Sequence, residues 1–145
     1  MIALVKPARL LAVVLVLQLS SCNALLNDVE RRSLAIVQTL TGESVDTVAL
    51  AKLAGWSEGT DPQTLLLKNG PHVSLVYVKN RRRQGETMVY RVQNTEILDQ
   101  NKQQQVTVIV REKTSGPVQV VASVVLAYKQ NQQGAWSLVS INTDG

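Results

Sequence analysis

The stretch 118–128, VQVVASVVLAY, decides the fold of this chain. From Val118 to Tyr128 the residues at every second position are apolar, namely Val118, Val120, Ala122, Val124, Leu126 and Tyr128. A period of two is that of a β-strand, so these residues are expected to share one face. The intervening positions are only half polar, which predicts a strand covered on much of both faces.

Other strands are predicted on both sides of this one by short apolar runs between polar turns. In chain order the predicted strands are 72–79, Thr87–Leu98, 106–110, 118–128 and 135–142. The turns between them are expected at 81–85, 99–102, 114–117 and 130–134. The second half of the chain therefore predicts an antiparallel meander.

The first half of the chain predicts helices. Over residues 23–55 apolar residues recur at helical spacings, Gly42 interrupts the pattern, and Thr47–Ala54 forms a second helix that ends at Gly55. A short helical turn is expected over 62–67. Helices followed by a meander predict an α+β fold, in which the helices pack on one face of a curved antiparallel sheet. Because Phe is absent, aliphatic residues must fill the core.

The last predicted strand carries a short motif, in which Gly134, Trp136 and Leu138 alternate with other residues. Together with the order of elements, this motif resembles the nuclear-transport-factor-two-like superfamily, whose cystatin-like domains are cone-shaped. The resemblance covers most of residues 24–142. The early strand at 72–79 and the scarcity of aromatic residues depart from the superfamily's pattern.

The first 22 residues have the three parts of an export signal. Lys6 and Arg9 precede the apolar run 10–17, and Leu19-Ser20-Ser21-Cys22 follows it. The apolar run is shorter than the roughly 20 residues that span a bilayer. An uncleaved helical anchor is the alternative interpretation.

Leu, two small residues and Cys resemble the recognition motif of bacterial lipoprotein signal peptides. The resemblance implies that residues 1–21 are removed and that Cys22 receives a lipid anchor of acyl chains such as palmitate. Residues 22–145 would form one domain, with 22–27 as a short segment near the membrane. Asn23 after the cysteine implies the outer membrane, with the domain facing the periplasm.

Charge and cysteine content limit the partners that the chain can have. The net charge is +4, but Lys6 and Arg9 belong to the leader, so residues 22–145 carry 13 basic and 11 acidic residues. An excess of two does not indicate nucleic acid. Cys22 is the only cysteine, so an intramolecular disulfide is impossible.

The sequence gives no sign of catalysis. His72, the only histidine, has no acidic residue within ten positions, and we interpret it as a solvated side chain. No nucleophile motif, phosphate loop or cluster of metal ligands is present in the sequence. The chain is therefore not expected to be an enzyme, and no cofactor or metal is expected.

Two features remain as candidate sites. The basic residues Lys79, Arg81, Arg82 and Arg83 are expected to be solvated charges of a turn that contribute little to stability, and the alternative is a contact with anionic lipid or an acidic partner. Trp136 is expected in the core, and the alternative is the mouth of a pocket. Trp56 is also expected in the core.

Two function classes follow from this sequence. The first is a non-catalytic accessory or scaffold lipoprotein that presents its domain to other envelope proteins. The second is a protein that binds a small apolar ligand in the cavity between sheet and helices. A filled interior would favour the first class, and an open cavity would favour the second.

Membrane attachment should depend on Cys22. Replacing Cys22 with Ala removes the thiol that the lipid would modify, so we expect an unprocessed precursor or release of protein from the membrane. Cell fractionation and the mobility of the processed chain measure both outcomes. Normal cleavage and unchanged membrane retention of this variant would contradict the lipoprotein prediction.

Overall fold

The described part of the chain forms helices followed by a meander. The structure is a computed structural model and describes residues 25–56, 73–113 and 116–143. Its elements are α1 (Asp28–Leu40), α2 (Thr47–Ala54), α3 (Val73–Arg83), β1 (Thr87–Leu98), β2 (Gln103–Lys113), β3 (Gln119–Gln130) and β4 (Trp136–Thr143). The four strands pair antiparallel in chain order. The predicted α+β class, with helices packed on an antiparallel meander, is confirmed.

Helix α1 has a well-defined start and one buried face. Asn27 accepts a hydrogen bond from the backbone N–H of Glu30, and the Glu30 side chain accepts one from the backbone N–H of Asn27, which is a capping box. Val29, Ile36 and Val37 are buried at helical spacing. Apolar residues on one stripe require a second layer, and the sheet supplies it.

Helix α3 replaces two predicted features. The sequence predicted a strand at 72–79 and a turn at 81–85, but Val73–Arg83 is a helix. The β-branched residues of this segment favour a strand locally. The prediction is wrong because burial of Leu75 and Val78 in the core, at 6% and 0% exposure, outweighs that local preference.

The core lies between the helices and one face of the sheet. Val106, Val108 and Val124, at the centre of β2 and β3, are completely buried. The remaining core residues from the three helices and the sheet are Val29, Ile36, Val37, Leu40, Leu50, Ala54, Leu75, Val78, Val110, Ala122, Leu126, Tyr128, Leu138 and Ile141. Apart from Tyr128, the set is aliphatic, as expected from the absence of Phe.

Bulges decide which strand residues face the helices. The register of β3 against β2 shifts between Ala122 and Val120, and a shift of one residue turns a side chain to the other face. Val118 and Val120 are therefore 53% and 56% exposed, and the prediction that they share the face of Tyr128 is wrong. Of the intervening residues of β3, Gln119 is exposed and Val121, Ser123, Val125 and Ala127 are half-buried, with Val121 packed against the core.

Arg32 of α1 joins four elements at the edge of the core. Its Nε donates to the Leu53 carbonyl of α2 at 2.6 Å, and its Nη2 donates to the Trp136 carbonyl of β4 at 2.9 Å. The guanidinium carbon lies 5.6 Å from the centre of the Tyr128 ring of β3. Asp28, one turn earlier, pairs with the same guanidinium at 3.7 Å.

The buried hydroxyl of Tyr128 is bonded to α1. The Ser33 Oγ donates its one proton to the Val29 carbonyl at 2.7 Å, so the Tyr128 hydroxyl donates to Ser33 Oγ at 2.8 Å. Burial raises the pKa of Tyr128 to about 12, although the bond with Ser33 acts in the opposite direction.

Stability should therefore fall at alkaline pH because of Tyr128. Between about pH 10, the ordinary pKa of tyrosine, and the native pKa of about 12 the unfolded chain releases a proton that the folded chain keeps. The free energy of unfolding should then fall by about 1.4 kcal/mol per pH unit over this range relative to Tyr128→Phe. Urea unfolding of both proteins across the range measures it, and parallel pH curves would contradict the assignment.

Candidate functional site

Some predicted site residues lie outside the described residues. These are the signal residues Leu19, Ser20, Ser21 and Cys22, together with His72 and the predicted turn at 62–67. The candidate interaction residues Lys79, Arg81, Arg82, Arg83 and Trp136 are described. Among the described helices, none combines the length and the apolar character needed to cross a membrane.

The basic cluster forms the C-terminal end of α3. Two hydrogen bonds close this end, from the Gly85 N–H to the Arg82 carbonyl and from the Glu86 N–H to the Arg81 carbonyl. This is a Schellman motif, in which Gly85 has a φ of +90°. Basic side chains in the last turn interact favourably with the helix dipole. The arginines are therefore fixed on a helix and not carried by a turn.

Arg81 is paired with a buried carboxylate. Its Nε and Nη2 lie 2.7 Å and 2.5 Å from Glu112 Oε1, and the Glu112 side chain is only 5% exposed. Glu86 lies 3.7 Å away on the solvent side. The hydrogen bond with Glu112 raises the pKa of Arg81. The prediction that Arg81 is a solvated charge of a turn is wrong, since it neutralises Glu112 of β2.

Arg82 lies against the end of α1. Its Nη1 is 3.4 Å from the Gln38 carbonyl, from Thr41 Oγ1 and from the Tyr90 hydroxyl. Distances of 3.4 Å are long for hydrogen bonds, so these contacts orient Arg82 loosely. Thr41 donates to the Val37 carbonyl, and Tyr90 therefore donates to Thr41 at 2.6 Å. Arg82 covers this pair and remains exposed.

Lys79 and Arg83 are the other two residues of the basic cluster; Arg83 is exposed, whereas Lys79 is half-buried. They lie one turn apart, and neither forms an ion pair or hydrogen bond in the described part of the chain. On the same helix Val73, Val76 and Tyr77 are 62%, 56% and 46% exposed. The solvent side of α3 is thus apolar in its first half and basic in its second. We call these residues, Val73, Val76, Tyr77, Lys79 and Arg83, the α3 surface.

The two tryptophans have structural contacts. Trp136 is half-buried, packs against the core, and accepts the hydrogen bond from Arg32 through its carbonyl. Trp56 is also half-buried, and its Nε1 donates to the Leu138 carbonyl at 2.9 Å. Both residues hold β4 to the helices, but they pack against the core from its margin and are not among its buried residues.

Sequence reasoning did not identify Glu112 as a partner of the basic cluster. Arg81 and Glu112 are 31 positions apart in the sequence, and only the packing of α3 on the sheet brings them together. The one available signal was a carboxylate at the end of an apolar strand.

Two buried polar atoms, Ser74 Oγ and Arg111 Nε, have no hydrogen-bond partner among the described residues.

Comparisons with known proteins gave no relative. No protein-family model, curated protein or solved structure matches the chain. Among the described residues, no three side chains of His, Cys, Asp or Glu are grouped so that they could hold a metal ion. The resemblances to lipoprotein signals and to the nuclear-transport-factor-two-like superfamily therefore remain predictions.

Arg81 should contribute to stability, whereas Arg83 should not. Arg81→Gln leaves the Glu112 carboxylate buried without its partner, and we expect the melting temperature to fall by several degrees. Arg83→Gln removes an exposed charge that has no partner among the described residues, and it should leave the melting temperature unchanged. The double variant Arg81→Gln/Glu112→Gln should recover most of the loss, because no charge is left buried. Thermal unfolding of the three variants measures this, and equal melting temperatures would contradict it.

Proposed function

We propose that this chain is a lipoprotein of the bacterial cell envelope and acts as a non-catalytic scaffold, with the α3 surface as the binding site for an acidic envelope protein. In this proposal Cys22 carries the lipid, and the domain faces the periplasm from the outer membrane. The observation that carries the proposal is the α3 surface, in which every residue except Lys79 is exposed. Apolar residues beside Tyr and Arg are typical of protein interfaces, whereas solvated helix faces are mostly polar.

A filled interior supports a scaffold over the alternative of a protein that binds a small apolar ligand. Between α1 and the sheet, Ile36, Val37, Val106 and Val108 have no exposed surface. A ligand pocket needs a concavity lined by apolar groups with a few polar ones. In the described part of the chain, the space where such a pocket is expected contains side chains.

The polar groups along this interior have structural roles, which supports a non-catalytic protein. The Tyr128 hydroxyl bonds to Ser33, the Tyr90 hydroxyl bonds to Thr41, and the Glu112 carboxylate binds Arg81. General acid or base chemistry needs a group with a proton to exchange with a substrate. Each of these groups is instead hydrogen-bonded to another side chain of the protein.

The position of the α3 surface relative to the proposed anchor favours a protein partner over lipid headgroups. Cys22 precedes the start of α1, whereas Arg82 of α3 contacts Gln38 at the other end of α1. A helix of 13 residues is about 20 Å long. The basic end of α3 thus lies about one helix length from the end where the anchor joins the domain.

The test is capture of the partner by the full, acylated chain from native membranes. Lys79→Glu/Arg83→Glu reverses the two charges of the α3 surface, of which Arg83 is exposed and Lys79 half-buried, and Lys102→Glu/Lys129→Glu reverses two exposed charges elsewhere as a control of equal charge change. We expect the unchanged chain and the control to capture one acidic protein. The amount captured by the α3 variant should be lower by about tenfold or more, because close charge pairs steer and stabilise association.

A second variant separates protein binding from lipid binding. Val73→Ser/Val76→Ser removes apolar surface without a change of charge, so it should also weaken capture of a protein. Binding to vesicles that contain anionic lipid should be weak for all variants. Strong vesicle binding that only the charge variant abolishes would contradict a protein partner, and capture that no variant changes would contradict the α3 surface.

A further inference from the structure

Strand β1 is a long open edge of the sheet. It has 12 residues, pairs with β2 on one side, and has no strand on the other side in the described part of the chain. The sequence TMVYRVQNTEIL contains neither Pro nor Lys, the residues that commonly protect such edges from pairing. Val89 and Ile97 are 44% and 56% exposed.

Helix α1 holds this edge in place on both sides of its bulge. Thr95 Oγ1 donates to Glu30 Oε2 at 2.6 Å, and the Tyr90 hydroxyl donates to Thr41 Oγ1 at the same distance. The edge is therefore fixed in an extended form before any partner arrives, which lowers the entropic cost of pairing. Because α1 also contacts β2 and β3, it lies over the sheet and not beyond the edge.

The bulge of β1 allows the strand to pair with a second copy of itself. The register against β2 shifts between Val92 and Asn94, so side chains of odd number face away from the helices before the bulge and those of even number do so after it. In an antiparallel pair, partners must lie on the same face. Suppose that the strand pairs with its own copy so that residues before the bulge lie opposite residues after it. An odd-numbered residue then lies opposite an even-numbered one, and both side chains are on the same face of the sheet.

In one such register, opposite side chains lie on the same face and are complementary in charge or polarity. If Arg91 lies opposite Glu96 of a second copy, then Glu96 lies opposite the other Arg91, and two ion pairs form by symmetry. Both residues are exposed, and neither forms an ion pair or hydrogen bond in the described part of the chain. The same register places Tyr90 opposite Ile97, Val89 opposite Leu98, Val92 opposite Thr95, and Gln93 opposite Asn94.

We propose that β1 is a homodimer interface, through which two copies of the chain join their sheets antiparallel with Arg91 opposite Glu96 of the other copy. The eight strands then form one sheet with all helices on the same side. The unpaired backbone groups of both edges become hydrogen-bonded, and the exposed Val89 and Ile97 gain apolar neighbours. This proposal uses a different surface from the α3 surface and does not depend on the proposed function.

The test reverses each charge singly and then both together in the full chain. Arg91→Glu and Glu96→Arg each turn two opposite-charge pairs into two like-charge pairs, so each should raise the dimer dissociation constant by about tenfold or more. The double variant Arg91→Glu/Glu96→Arg restores both pairs in the reverse sense and should recover dimerisation. Lys129→Glu, on β3 of the same sheet, is the matched control and should have no effect.

Light scattering after size exclusion in a nonionic detergent, over a dilution series, measures the protein mass apart from the detergent. Circular dichroism checks that each variant is folded, which is expected since both side chains are exposed and neither has a partner in the part of the chain that the structure describes. A monomer at every concentration would overturn the proposal. So would a dimer that neither single variant weakens, or one that the double variant fails to restore. If instead the chain is monomeric and a different protein is captured with the same pattern of charge dependence, the edge pairs with that protein and not with itself.

Discussion

The contacts of one guanidinium set the arrangement of the described elements. Arg32 donates to carbonyls of α2 and β4 and lies over the ring of Tyr128 in β3, so four elements meet at a single side chain of α1. A planar group with several fixed donors can satisfy such a set, whereas an ammonium group is a point charge. At Gly55, which ends α2, an added Cβ would lie 2.5 Å from the same Trp136 carbonyl, so the elements also approach closely around this point.

The interior of the described domain combines a small aliphatic core with a few bonded hydroxyls. Valine supplies much of the apolar volume, and the two tyrosines that face the helices each donate a hydrogen bond to α1. These bonds satisfy polar groups that would otherwise be costly to bury, and they fix the position of α1 along the sheet. The proposed interactions therefore involve exposed surface, namely the α3 surface and the edge of β1.

Much of the architecture could be predicted from the sequence, because it depends on local periodicity. The bounds of β1 and α2 were predicted correctly, and the turns after β1 and β3 were placed correctly. Helix α3 was not predicted because its valines favour a strand locally, and only packing against the sheet makes this segment a helix. The bulges were also missed, since one extra residue changes the face of a side chain without a signal in composition. The contact between Arg81 and Glu112 follows from the first of these features, the packing of helix α3 on the sheet. The proposed role of Cys22 depends on the leader alone and stays a prediction.

The last strand has a consequence for the order in which the chain folds. Arg32 and Trp56 find their acceptors on β4, at Trp136 and Leu138, across sequence separations of 104 and 82 residues. During synthesis both donors exist long before these carbonyls do, and closing such long loops is entropically costly. Contacts between distant residues slow folding relative to local helix formation. Helices α1 and α2 can therefore form early, but they reach their final positions only when the C-terminal strand has joined the sheet.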